Sequence, residues 1–184
     1  PDKVVQTPVA FLTCNFTQPL DGKPALLTHD DVITLFHEFG HGLHHLLSLV
    51  EEPSVTGISG VPWDAVELPS QFLENWCWER GALDLVTSHV DTGEPLPDKL
   101  LQKLRGARNF QSGMQMVRQL EFALFDLQLH ASTAQISADA ILRVLDDVRQ
   151  QVAVVTPPPF DRFPHAFSHI FAGGYAAGYY GYLW

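Results

Sequence analysis

Positive charge is what this chain most lacks. Eleven Lys and Arg face 21 Asp and Glu, a formal net charge of −10, and no basic cluster interrupts that balance. Such a surface repels a phosphate backbone, so nucleic acid is not an expected partner. Cysteine is nearly missing too. Cys14 and Cys77 are the only two, and neither is spaced as one of a ligand pair. That count excludes the disulfide framework of a small secreted domain, and the expectation is two buried, reduced thiols in a cytoplasmic protein. No apolar run reaches the roughly 20 residues of a membrane span, and no charged-then-apolar leader opens the chain. Neither a membrane partner nor export is expected. A starting methionine is absent, and the chain stops in Gly181-Tyr182-Leu183-Trp184, an aromatic run without a helix stop signal. Residues 1–184 are therefore expected to be a fragment of a longer protein.

What is present points to a folded, mainly α domain. Apolar residues make up 46% and charged residues 17%, a balance far from the signature of disorder. The length fits a single domain over 1–184, expected to be monomeric. Val4 to Phe16 mixes β-branched and aromatic residues ahead of Gln18-Pro19-Leu20-Asp21-Gly22-Lys23-Pro24, which predicts a small β-element and a hairpin-like turn near the N-terminus. Thr28 and Asp31 form a near capping box, and Val32, Ile33, Leu35, Phe36, Phe39, Leu43, Leu46 and Leu47 follow at helical spacing, so a helix is expected over about 29–49. Residues 51–63 read as a loop. A second helix starts either at Asp64 or at Pro69, between which the sequence does not choose, and runs to about Arg80 with a continuation towards His89. Leucine-rich periodicity predicts a long helix over 98–131, interrupted near Gly106. Another helix opens at Ser137 and must end before Pro157-Pro158-Pro159.

One pattern on the first helix carries chemistry. His37-Glu38-Phe39-Gly40-His41 places two imidazoles four positions apart, about one turn, so both project from the same face and can share an ion. Glu38 lies about 100° round the helix, where it suits the role of general base towards a water at a metal such as zinc. Two imidazoles left unpartnered among leucines would cost on the order of 1–3 kcal/mol each, a cost that a metal removes. His44 and His45 are the rival ligands. Positions 37 and 45 are separated by about 12 Å along the axis, too far for bonds near 2 Å to a common ion, so both read as structural or surface residues.

Catalytic zinc takes three protein ligands and keeps a position for water. Glu67 is the best candidate for the third, because the intervening loop lets the second helix return antiparallel to the first. Glu74, seven residues later on the same face, is expected to orient a ligand histidine through its other ring nitrogen; a solvated carboxylate is the competing reading. Val9 to Cys14 offers an edge along which an extended peptide could bind through its backbone.

The stretch Leu35-Phe36-His37-Glu38-Phe39-Gly40-His41-Gly42-Leu43-His44-His45, together with Val66-Glu67-Leu68-Pro69-Ser70-Gln71 and Glu74-Asn75-Trp76, resembles the thimet oligopeptidase family of zinc metallopeptidases. The likeness runs through essentially all of the chain, which would form only the core of a zincin-like catalytic domain. It implies that His37, His41 and Glu67 hold one zinc ion. It also implies that His169, Tyr175 and Tyr182, in or after the Gly-rich segment His169-Ile170-Phe171-Ala172-Gly173-Gly174-Tyr175, lie over the metal and face the substrate. Tyrosine hydroxyls there could donate to an oxyanion, each such donor contributing about 10²- to 10³-fold in rate. Tyr179 and Tyr180 read as packing residues. The family likeness implies a channel that admits short oligopeptides, including cleaved signal peptides. The expected activity is zinc endopeptidase, with a peptidyl-dipeptidase of the same family, or a zinc- and peptide-binding fragment without turnover, as alternatives.

Overall fold

Helix initiation follows the local chemistry. In the computed structural model, which describes residues 6–132 and 136–183, α1 spans His29–Leu46. Thr28 caps it reciprocally: its hydroxyl accepts from the Asp31 amide at 3.2 Å, and the Asp31 carboxylate accepts from the Thr28 amide at 2.8 Å. Asp30 and Asp31 sit in the first turn and His44 and His45 in the last, each where the helix dipole favours its charge. The helix stops three residues short of the predicted end. Ser48 Oγ accepts from the amides of Val50 and Gly57 and from the Thr56 hydroxyl, local bonds that compete with helix continuation.

The loop then contains two 3-10 turns, Pro53–Val55 and Gly57–Gly60. Helix α2 covers Leu68–Glu74 with Pro69 in its first turn, so the proline, not Asp64, marks the start. It does not run on to Arg80. Asn75 Nδ2 takes the Phe72 carbonyl at 3.0 Å, the backbone tightens into the 3-10 turn Asn75–Trp78, and α3 (Arg80–Val86) starts only after an extended Glu79. The long leucine-rich stretch divides into α4 (Asp98–Ala107) and α5 (Ser112–His130). The break comes after Gly106, at Gln111, whose φ of 55° is left-handed and cannot continue a right-handed helix. Ser137 caps α6 (Ala138–Val152) as expected, and the short helices α7 (Phe163–Ala166) and α8 (Ser168–Phe171) precede a final 3-10 turn, Tyr179–Leu183.

The predicted strand over 4–16 is not formed over the described residues 6–16, which run without regular structure. Val4 and Val5 lie outside the described residues. The β-element reduces to one isolated bridge, Leu20 to Lys23, closing a turn through Asp21 and Gly22 at φ of 52° and 73°. A strand exists only by pairing its N–H and C=O groups, and no strand is present among the described residues to pair with. None of their helices is long and apolar enough to cross a membrane.

The chain divides into two compact units. The first holds residues up to Val61 and Val66–Arg108. There α1 and α2 touch backbone to backbone: a Cβ on Gly40 would lie 2.5 Å from Ser70 Cα and 2.7 Å from the Pro69 carbonyl. Cys77, Leu83 and Leu101 are buried in this unit. The second holds Pro62–Ala65 and everything from Asn109 on. Its core is Ala123, Phe125 and Leu129 of α5, Leu145 of α6, and Phe167, Ile170 and Tyr179. Phe163 stacks on Phe122 at 4.7 Å between ring centroids. Beside it Glu121, 3% exposed, is paired with Arg118 at 2.8 Å and Arg149 at 2.9 Å.

Candidate metal centre

The close passage at Gly40 sets up the site. Because α1 lacks a side chain there, the start of α2 can rest against it, and Glu67, the residue before α2, is brought to the His37 and His41 face. Glu67 Oε2 lies 3.1 Å from His37 Nε2 and 3.2 Å from His41 Nε2. The two rings stand 5.0 Å apart at 85° to one another. A tetrahedral ion with bonds of about 2.0–2.2 Å spaces its ligand atoms roughly 3.3–3.6 Å apart, close to the 3.1 and 3.2 Å between the carboxylate oxygen and the two imidazole nitrogens. Among the described residues this is the one trio of such side chains whose ligand atoms all lie within 4.8 Å of one another.

Burial and charge make the same point. Glu67 is 3% exposed, and a carboxylate so far from water needs cationic or hydrogen-bonding neighbours. The imidazoles supply them, as does Ser70, fully buried, whose hydroxyl donates to the Glu67 carbonyl at 2.7 Å and lies 3.1 Å from Oε2. Glu74 Oε1 sits 2.7 Å from His37 Nδ1. His37 thus has a carboxylate on each ring nitrogen. Hydrogen bonds first to Glu67 and then to Glu74, against the opposing effect of burial, push its pKa up to about 9. A pocket that favours positive charge so strongly suits a divalent cation equally well. Two imidazole nitrogens and one carboxylate oxygen are a donor set for zinc or a similar divalent metal.

Glu38 lies about 100° round α1 from His37. Together with His41, Gly42 and His45 it faces Ala10–Leu12 and Ile58-Ser59 across a groove of about 370 Å³. The extended segment fits tightly there, since a Cβ on Gly42 would lie 3.2 Å from a Leu12 methyl. Cys14 is near enough for the Glu38 charge to act on it, and burial, then Glu38, pushes its thiol pKa up. Cys14 is only partly buried, whereas Cys77 is enclosed and its pKa is raised to about 11, mainly by burial. His45 borders the groove and His44 lies on the helix flank, neither joining the trio of His37, His41 and Glu67.

Within the second unit, His169, Tyr175 and Tyr182 come together in one aromatic cluster. Tyr175 and Tyr182 ring centroids are 5.3 Å apart, and His169 is 6.1 Å from the first and 6.2 Å from the second. The neighbouring tyrosines pack: Tyr179 is 7% exposed with its hydroxyl 3.1 Å from Gln119 Oε1, and the Tyr180 hydroxyl donates to Asp64. Trp63 meets Tyr175 edge to face at 5.0 Å. Gly181 is needed where it stands, because a Cβ would come within 2.5 Å of the Asp64 carbonyl. Sequence reasoning missed Ser70, because its buried hydroxyl has no pattern of its own.

All 184 residues match the model of peptidase family M3. Oligopeptidase A of Salmonella typhimurium is 63% identical over 183 residues, covering 100% of this chain and 27% of the relative. Oligopeptidase A of Haemophilus influenzae is 57% identical, with the same coverage. A dipeptidyl carboxypeptidase of Escherichia coli is 42% identical over 181 residues, 96% of this chain and 26% of that protein. The chain therefore spans about a quarter of the length of these curated relatives. With a family match over every residue, and relatives above half identity, this chain belongs to peptidase family M3.

Proposed function

We propose that these residues form the zinc-binding core of an endopeptidase acting on short oligopeptides, within a longer, zincin-like catalytic domain to which both units belong. The observation that carries the reading is the approach of Glu67 Oε2 to within 3.1 and 3.2 Å of two imidazole nitrogens one helical turn apart. His37, His41 and Glu67 would hold the ion. When bound, zinc there supplies Lewis-acid chemistry, polarising a peptide carbonyl and lowering the pKa of water. Glu38 acts as general base, taking a proton from the attacking water and passing it to the leaving amine. Glu74 holds the His37 ring through Nδ1, which fixes the tautomer and leaves Nε2 for the metal. Tyr175, Tyr182 and His169 face the substrate, with a tyrosine hydroxyl donating to the developing oxyanion.

The groove beside Glu38 supports a peptide substrate. Its wall of residues 10–12 carries backbone groups outside any strand, so an extended peptide can add along it with little demand on its sequence. Relatives named both oligopeptidase and dipeptidyl carboxypeptidase match this chain, and the higher identity of the former favours internal cleavage. The protein is read as a cytoplasmic monomer, with short peptides, cleaved signal peptides among them, as substrates.

The test is hydrolysis of a quenched fluorescent peptide, blocked at both ends, by the full-length protein that carries this chain. Internal cleavage, lost on chelation and restored by zinc, is the expected result. Release of C-terminal dipeptides from unblocked peptides alone would shift the reading to a peptidyl-dipeptidase. Stoichiometric zinc without any cleavage would reduce it to a binding role.

A further inference from the structure

Among the described residues of the second unit two carboxylates are buried, Glu121 and Asp126, and they are held by different partners. Glu121 is met by two guanidinium groups. Asp126, fully enclosed, is met by backbone: Oδ1 accepts from the Ala177 amide at 2.9 Å and Oδ2 from the Tyr179 amide at 3.0 Å. His130 Nδ1, one turn along α5, lies 2.7 Å from Oδ1. A carboxylate removed from water is tolerated only where donors replace its hydration, so this geometry has a defined job.

The two amides flank Gly178, on the segment that carries the tyrosines. Ala177 has a left-handed φ of 56°, a conformation that a residue with a side chain adopts only when its surroundings impose it. Tyr179 opens the 3-10 turn that ends at Leu183, and the leading amides of such a turn have no acceptor within it. Asp126 supplies that acceptor. The segment contains glycine at 173, 174, 178 and 181, residues with a wide choice of backbone conformations, and the Asp126 bonds add to its own turns, Tyr175 N–H to the His169 carbonyl, Gly178 N–H to that of Tyr175 and Gly181 N–H to that of Gly178, in fixing it.

We infer that Asp126, steadied by His130, is a positioning residue: by fixing the backbone on both sides of Gly178 it holds Tyr175 and Tyr182 at their observed spacing and so sets what they contribute to turnover. This rests on the reading that those tyrosines face the substrate. Displacing a reacting group by about 1 Å can cost roughly 100-fold in rate, which is the scale of effect that an anchor can exert through them.

The test uses the full-length protein and Asp126→Asn, which keeps the shape but turns one acceptor into a donor facing an amide. Hydrogen exchange at Ala177 and Tyr179 is expected to accelerate by about 10- to 100-fold, as loss of bonds to a charged acceptor implies, while α5 amides keep their protection. Zinc content stays stoichiometric, and kcat falls by about 10- to 100-fold with KM within about twofold. In a Tyr175→Phe/Tyr182→Phe background the same substitution should cost less than about twofold more. An equal fold-loss in both backgrounds, or unchanged exchange at the two amides, overturns the inference. Should the wild-type protein cleave no peptide, the proposed function fails and the exchange measurement alone decides on Asp126. Should Asp126→Asn not fold, exchange of the wild-type amides decides: protection comparable to α5 supports the anchor, and rates of an unstructured chain overturn it.

Discussion

Glu38 and His37 are neighbours in sequence and occupy different surroundings. His37 lies between Glu67 and Glu74, and Glu38 faces the groove along residues 10–12. The two substitutions should therefore separate binding from turnover. Glu38→Gln is expected to keep stoichiometric zinc by elemental analysis and to lower kcat by at least about 10²- to 10⁴-fold, the contribution of a general base; undiminished turnover would remove Glu38 from the mechanism. Glu67→Ala should do the opposite and release the metal, and a fully loaded variant would mean that the ion is held elsewhere. The thiols offer a check that involves no catalysis. With a pKa near 11 and no exposure, Cys77 should resist iodoacetamide at pH 8 in the folded protein and react once denatured, because the thiolate is the reactive form.

At the scale of elements, the site depends on how closely two helices can pass. A methyl on Gly40 would overlap the α2 backbone at Ser70 and Pro69, and main chain cannot swing aside as a side chain can. Gly40→Ala would gain about 1 kcal/mol in helix propensity and lose more to the forced separation, for which overpacking typically costs about 1–3 kcal/mol. The expected result is net destabilisation in urea together with weaker zinc binding, since Glu67 moves with α2. An unchanged metal affinity would show that the approach of the helices does not hold the site. The strand predicted for 4–16 and the continuation of the second helix to about Arg80 failed for different reasons. One needed a partner that no described residue supplies, and the other was diverted by the Asn75 side chain bonding the Phe72 carbonyl.

For the whole molecule, a metal held by α1 and by the residue before α2 would link two separate stretches of chain, and ligation and folding would then be coupled. Chelation should lower the melting temperature of the full-length protein and zinc should restore it. At free metal about 100 to 1,000 times Kd the stabilisation is roughly 2.7–4 kcal/mol, readable by calorimetry. A melting temperature indifferent to chelator would argue against a structural link through this centre.

The sequence by itself determined the periodic and local features. The capping box at Thr28, the pairing of His37 and His41 on one face, the helix opened by Ser137 and the predominance of helix all depend on spacings of three or four residues, which the geometry of a single helix translates directly. It also held the family likeness, because the motif residues are adjacent in the chain. Tertiary structure decided whatever depended on approach between segments: that Gly40 lets α2 come to contact, that Pro69 and not Asp64 begins it, that Ser70 turns towards Glu67, and that a buried Asp126 binds the amides of Ala177 and Tyr179, more than 50 residues away. Such contacts leave no period in the sequence, since they are set by which surfaces the folded chain brings together.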